Sequence, residues 1–156
     1  MKSFEKIVQG SITQKDKNFY LKVPGAGEFE MGLVSEGYRK LSTIMYLIAS
    51  GTLTKDAVLF LAEPETNMNP KMIKPVVDAE LSKMGVQVFV TTHDYFVQQC
   101  FNLAATYSNY SKDEKRKLDY QFISLYKDQS EIKSEYFPYL HDLEHNAVIE
   151  EFDQLY

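Results

Sequence analysis

At 156 residues the chain is one domain's worth, long enough to bury about two thirds of the surface that its unfolded form exposes. Its 44% hydrophobic and 25% charged residues are those of an ordinary globular protein, and a net charge of −5 argues against a broad nonspecific nucleic-acid surface. No run approaches the roughly 18 apolar residues of a membrane span, residues 1–10 carry Lys2, Glu5 and Lys6 without a signal-like apolar core, and a single cysteine, Cys100, cannot form an internal disulfide; the expected compartment is the cytoplasm.

In chain order, F-E-K-I-V-Q-G-S-I-T and N-F-Y-L-K-V alternate apolar and polar residues around Q-K-D-K-N, which predicts a β-hairpin or two adjacent strands. Gly25 and Gly27 precede another short strand, E-F-E-M. V-S-E-G-Y-R-K-L then opens a different texture. From Arg39 to Ala49 the apolar positions Leu41, Ile44, Met45, Leu47 and Ile48 recur at helical spacing, and S-G-T-L-T closes that helix. A-V-L-F-L at 57–61 is a continuous apolar run, the pattern of a strand buried on both faces.

A helix is expected from about Pro70, with Ile73, Val76, Val77, Glu80, Leu81 and Met84 as its mostly apolar stripe and Gly85 as its end. V-Q-V-F-V at 86–90 is the next strand. Strand, helix and strand at this spacing imply a right-handed crossover and a parallel pair, whose carboxyl ends are where such sheets place ligands. Glu63 and His93 fall at those two ends. Asp94 is a good N-cap for a helix through Phe96, Val97, Cys100, Phe101 and Leu103, in which Cys100 is expected to pack in the core. The run S-K-D-E-K-R-K from Ser111 mixes signs, as a solvated loop or helix end does. Y-Q-F-I-S-L-Y and I-K-S-E-Y-F form a predicted hairpin, and residues 142–156 an amphipathic helix on Leu143, Val148, Ile149, Phe152 and Leu155. No repeat, low-complexity tract or linker divides the chain, so 1–156 is expected to be a single domain.

Taken together, V-S-E-G-Y-R-K-L, V-L-F-L-A-E-P-E, T-N-M-N-P and V-F-V-T-T-H resemble, in that order, the signature loop, Walker B strand, D-loop and switch strand of an ABC-type ATPase head. The likeness is to stand-alone bacterial AAA-family ATPases, often associated with defence systems, and covers the C-terminal half of such a head from about Phe29 onward. The ending A-V-I-E-E-F-D-Q-L-Y resembles the family's closing helix. None of the seven glycines is followed by lysine, so the chain contains no G-x-x-x-x-G-K-[ST] loop to cradle phosphates. The fold this implies is α/β: an incomplete P-loop NTPase domain with a largely parallel core sheet flanked by helices, an N-terminal β element, and a C-terminal hairpin plus helix. With its N-terminal lobe missing, such a sheet would leave an edge or face uncovered, which predicts a partner or self-association.

The resemblance assigns roles residue by residue. Glu63 would be the catalytic carboxylate that orients water toward the γ-phosphate, although it could instead cap the helix near Pro70 or pair with a lysine. His93 would sense the γ-phosphate. Ser35 and Gly37 would offer a hydroxyl and backbone N–H groups at a helix start to ATP held by a second protomer, or form a plain helix cap. Arg39 would add charge there or face water, and Asn67 and Asn69 would touch the partner across the ATP sandwich or serve as turn residues. Ala62 departs from the pattern, because a methyl group stands where an acidic residue usually helps to hold Mg²⁺. ATP and Mg²⁺ are therefore expected only in an assembled site completed by a P-loop-bearing half, a full-length homologue or another copy of the chain. The alternative is a non-hydrolysing, regulatory half-head that binds a full-length ATPase.

Overall fold

The computed structural model describes residues 10–16, 18–68, 85–109 and 118–154. They fall into two compact units, 1–91 and 92–156.

In the first unit, β1 (Ser11–Lys15), β2 (Asn18–Val23) and β3 (Gly27–Glu30) form an antiparallel sheet in that order. The predicted hairpin is thus present. Its turn includes Asp16 at a φ of 48°, a left-handed conformation that aspartate tolerates better than most residues. Alternation puts Ile12, Phe19 and Leu21 on one face, with Leu21 buried and the Phe19 ring 4.3 Å from that of Tyr46.

After a 3-10 turn at Met31–Leu33, helix α1 runs from Glu36 to Ala49 and buries Leu41, Ser42, Ile44 and Met45. The helix begins three residues before the predicted periodic stripe. It ends where expected: Gly51 adopts a φ of 73°, and the amides of Ser50, Gly51 and Leu53 bond the carbonyls of Tyr46, Ile48 and Leu47. A small cavity of about 70 Å³ lies among Ile12, Phe19, Met31, Ser42, Thr43 and Tyr46.

Strands β4 (Val58–Ala62) and β5 (Gln87–Thr91) pair in parallel, Phe60 opposite Phe89 and Ala62 opposite Thr91. They are the only parallel pair among the described residues, whose other strand pairs are antiparallel. The burial expected on both faces is corrected. Leu59, Leu61, Val88 and Val90 are half-buried, but the opposite face presents Val58, Phe60 (74% exposed) and Phe89, the two rings stacked 5.0 Å apart. A continuous apolar run therefore carries one covered face and one open face. The helix and crossover predicted between these strands lie outside the described residues, as does the mixed-charge run 111–117.

In the second unit, α2 (Tyr95–Asn109) buries Val97 and Ala105. Asp94 caps it as predicted, its carboxylate accepting from the Val97 amide at 2.9 Å. Cys100 is half-buried rather than fully in the core. Strands β6 (Phe122–Asp128) and β7 (Glu131–Phe137) form the predicted antiparallel hairpin. Ile123, Leu125, Ile132 and Tyr136 share an exposed face of it. The closing helix is shorter than the 142–156 expected. Leu140–Asp142 forms a 3-10 turn, and α3 runs only from Ala147 to Asp153. Asn146 sets its start, since its side chain accepts from the amides of both Val148 and Ile149.

Candidate nucleotide-facing site

The chain leaves β4 at Ala62, and the Glu63 amide still donates to the Thr91 carbonyl of β5 at 2.8 Å. Glu63 then takes a φ of 44°, which breaks the strand and throws the chain into a tight turn. Within it the Thr66 amide donates to the Glu63 carbonyl at 3.1 Å and the Met68 amide to the Glu65 carbonyl at 2.8 Å. Asn67 is left-handed too, at 59°. Pro64 and Met68 are buried, whereas Glu63 and Asn67 are exposed. The Glu63 carboxylate accepts from the Thr66 hydroxyl at 3.3 Å.

The start of α1 rests on this turn. Ser35 is the N-cap residue, and its hydroxyl makes no capping hydrogen bond to the helix. Gly37 is buried because the turn comes so close. A Cβ built on it would lie 3.1 Å from the Asn67 carbonyl oxygen and 3.3 Å from the Met68 Cα. The Glu36 carboxylate accepts from the Asn67 side-chain amide at 2.7 Å, a contact between residues 31 apart in sequence. The Lys40 ammonium donates to the carbonyls of Glu63 and Thr66, 3.0 Å to each.

Four of the seven site residues singled out from sequence, Ser35, Gly37, Glu63 and Asn67, thus lie on the helix start and the turn that pack together within the first unit. Arg39 is exposed, and its amide closes the first helical turn on the Ser35 carbonyl. Of the alternatives for Glu63, the lysine reaches its backbone carbonyl; the helix near Pro70, like Asn69, lies outside the described residues. His93 is exposed and belongs to the second unit, two residues beyond β5 and just before the Asp94 cap. Its relation to Glu63 is therefore one of chain position, each following one of two paired strands.

Sequence reasoning missed Glu36, Lys40 and Thr66. A signal for two of them existed: Glu36 and Lys40 are four apart on the helix and so share a face, but nothing in the sequence said that this face would meet the 63–68 turn.

The assembly sets the start of a helix beside a turn that carries an exposed carboxylate, Glu63. A helix start with an uncommitted cap hydroxyl suits phosphate oxygens. Nothing at position 62 suits a divalent cation, since a methyl group offers no oxygen.

A family model described as "AAA domain, putative AbiEii toxin, Type IV TA system" matches residues 2–97. The chain belongs to this AAA-domain family. The matched stretch includes every site residue named above. The AAA domain is also similar to a solved structure described as "Structural biochemistry of ATP-driven dimerization and DNA stimulated activation of SMC ATPases", with a TM-score of 0.57 and 13% sequence identity over 99% of this chain and 84% of that one. At that identity the likeness is one of fold, an ABC-type ATPase-like α/β architecture. No curated protein matches the chain.

Proposed function

We propose that this AAA domain supplies the signature loop, the hydrolytic glutamate and the switch histidine to an ATP sandwich whose phosphate-cradling loop comes from outside these 156 residues. The observation that carries the reading is the docking of the Ser35–Gly37 helix start on the turn that holds Glu63. The reading requires an anion-binding helix start and a water-orienting carboxylate, and these contacts tie together the two segments that would provide them. ATP bound there supplies the γ-phosphoryl group. Ser35 and the first amides of α1 are offered to the phosphate oxygens of ATP held by a second protomer, while Glu63 is the carboxylate that orients the attacking water and His93 the group that senses a terminal phosphate, each following one of two paired strands.

A specific observation favours a second reading, a regulatory half-head that binds a complete ATPase without hydrolysis. Ala62 removes the acidic group expected to help with Mg²⁺, and the stacked Phe60 and Phe89 present an open aromatic surface on the strand pair that ends at the site. In either case the partner is a P-loop-bearing half, a full-length homologue or a second copy. The toxin–antitoxin wording of the family description agrees with a defence-associated role.

Mg-ATP binding and phosphate release decide between the readings, measured for the chain alone and with a P-loop ATPase of its own family, beside Ala62→Asp and Glu63→Gln. Turnover that requires the partner and is lost in Glu63→Gln supports the split site. Partner binding without turnover, with turnover gained in Ala62→Asp, supports the regulatory one. A folded chain that binds neither nucleotide nor partner refutes both.

A further inference from the structure

We propose that Lys40 is a positioning residue, a latch that ties the signature end of α1 to the backbone of the turn carrying Glu63. The inference rests on the reading of that turn as nucleotide-facing and adds to it a residue that the motifs do not mark.

Lys40 lies one helical turn beyond Glu36, and its ammonium bridges two carbonyls three residues apart, those of Glu63 and Thr66. The Glu63 carbonyl also accepts the Thr66 amide, so the ammonium closes over a turn that is already hydrogen-bonded. Holding the Thr66 backbone in place also holds its hydroxyl, the donor to the Glu63 carboxylate. Glu63 has a left-handed φ, which a glutamate keeps only where its surroundings enforce it. Three contacts enforce it here: the Thr91 carbonyl on the strand side, the Thr66 amide inside the turn, and Lys40 from the helix. Lys40 is the one that comes from α1. Together with the Glu36 to Asn67 bond, it makes the helix start and the turn a single body. A phosphate drawn to Ser35 and Gly37 would therefore bear on the backbone that aims Glu63.

The test is amide hydrogen exchange, read residue by residue by NMR on the full chain without nucleotide, for the native protein, Lys40→Met and Lys40→Arg. In Lys40→Met the Thr66 and Met68 amides are expected to exchange at least about tenfold faster, the scale of losing one charge-assisted contact. Amides within α1 and the β4–β5 pair are expected to keep their native rates, and Lys40→Arg, which retains a cation and its donors, is expected to restore the turn. Unchanged exchange in the turn, equal acceleration throughout the unit, or no recovery in Lys40→Arg would each overturn the proposal. If Lys40→Met does not fold, Lys40→Gln takes its place in the same comparison. A parallel Mg-ATP titration of the native chain mixed with a P-loop ATPase of its own family separates the two ideas: no amide shift at Glu36, Gly37 or Glu63 would remove the nucleotide reading and leave the exchange result to judge the latch.

Discussion

Gly37→Ala sets two effects of known size against each other. Alanine is preferred over glycine inside a helix by about 1 kcal/mol, so at an open position the substitution stabilises. At Gly37, the second residue of α1, the new methyl carbon would lie 3.1 Å from the Asn67 carbonyl oxygen, 3.3 Å from the Met68 Cα and 3.4 Å from the Met68 Cγ. Relief requires the turn to retreat by a few tenths of an ångström. The Met68 side chain can yield. The backbone is pinned by Glu36 on Asn67 and by Lys40 on the Glu63 and Thr66 carbonyls. Overpacking of this kind costs about 1–3 kcal/mol, which leaves a net loss of about 1 kcal/mol, or about 4 °C in Tm for a unit of this size. The assay is thermal unfolding beside Gly32→Ala, whose added Cβ meets nothing within 4 Å and which is expected to be neutral or slightly stabilising. A Gly37→Ala variant more stable than the native protein would reverse this balance, because it would mean that the turn moves away freely and that α1 and Glu63 are not held together.

Ser42 is fully buried, and its hydroxyl has no hydrogen-bond partner among the described residues; Ser42→Ala is therefore expected to raise stability by about 1 kcal/mol in thermal unfolding. Asn146→Ala removes the side chain that accepts from Val148 and Ile149 and is expected to cost about 1 kcal/mol, seen as faster exchange of those two amides. In the N-terminal sheet, Glu28 of β3 takes hydrogen bonds from Lys15 and Thr13 of β1. The Lys15 bond, then that of Thr13, lowers its pKa from the usual 4.5. A lowered folded-state value means that this pair supports the sheet above about 4.5 and that its contribution fades as pH falls through the depressed value. Carboxyl-carbon NMR titration of Glu28 checks this, with the depression expected to shrink in Lys15→Met.

What the sequence made legible follows the range of the forces involved. Alternation in N-F-Y-L-K-V, the Leu41–Ile44–Met45 stripe and the Asp94 cap are local signals, and each reappears as an element or a cap. The order of the motifs brought Ser35, Gly37, Glu63 and Asn67 forward as candidates, and the helix start and turn that carry them do pack together. The tie between them was not legible. It runs from Lys40 to main-chain carbonyls, and a carbonyl is present at every residue, so no side-chain pattern marks the receiving end. The open face of β4 was hidden for a different reason: V-L-F-L-A is apolar at every position, and an unbroken apolar run carries no sign of which alternate residues lack cover. The late start of α3 reflects competition at Asn146, whose strong capping preference overrides an apolar pattern that could have begun several residues earlier.

Glu63 itself offers the sharpest physical reason to think that the turn is kept for its side chain. A non-glycine residue in the left-handed region is disfavoured by about 1–2 kcal/mol, and glycine would remove that strain at a modest cost in unfolded-chain entropy. The comparison that isolates the backbone is Glu63→Gly against Glu63→Ala, since both lose the carboxylate and its bond from the Thr66 hydroxyl and only alanine keeps the strained Cβ. With a φ of 44°, the glycine variant is expected to be more stable than the alanine variant by about 0.5–1 kcal/mol in denaturant or thermal unfolding. Equal stabilities, or a more stable alanine, would mean that the turn relaxes to an ordinary conformation and that nothing about Glu63 is enforced. The expected order means that folding alone would be served better by glycine at this position. The glutamate is then kept for its carboxylate, which is what the proposed water-orienting role requires.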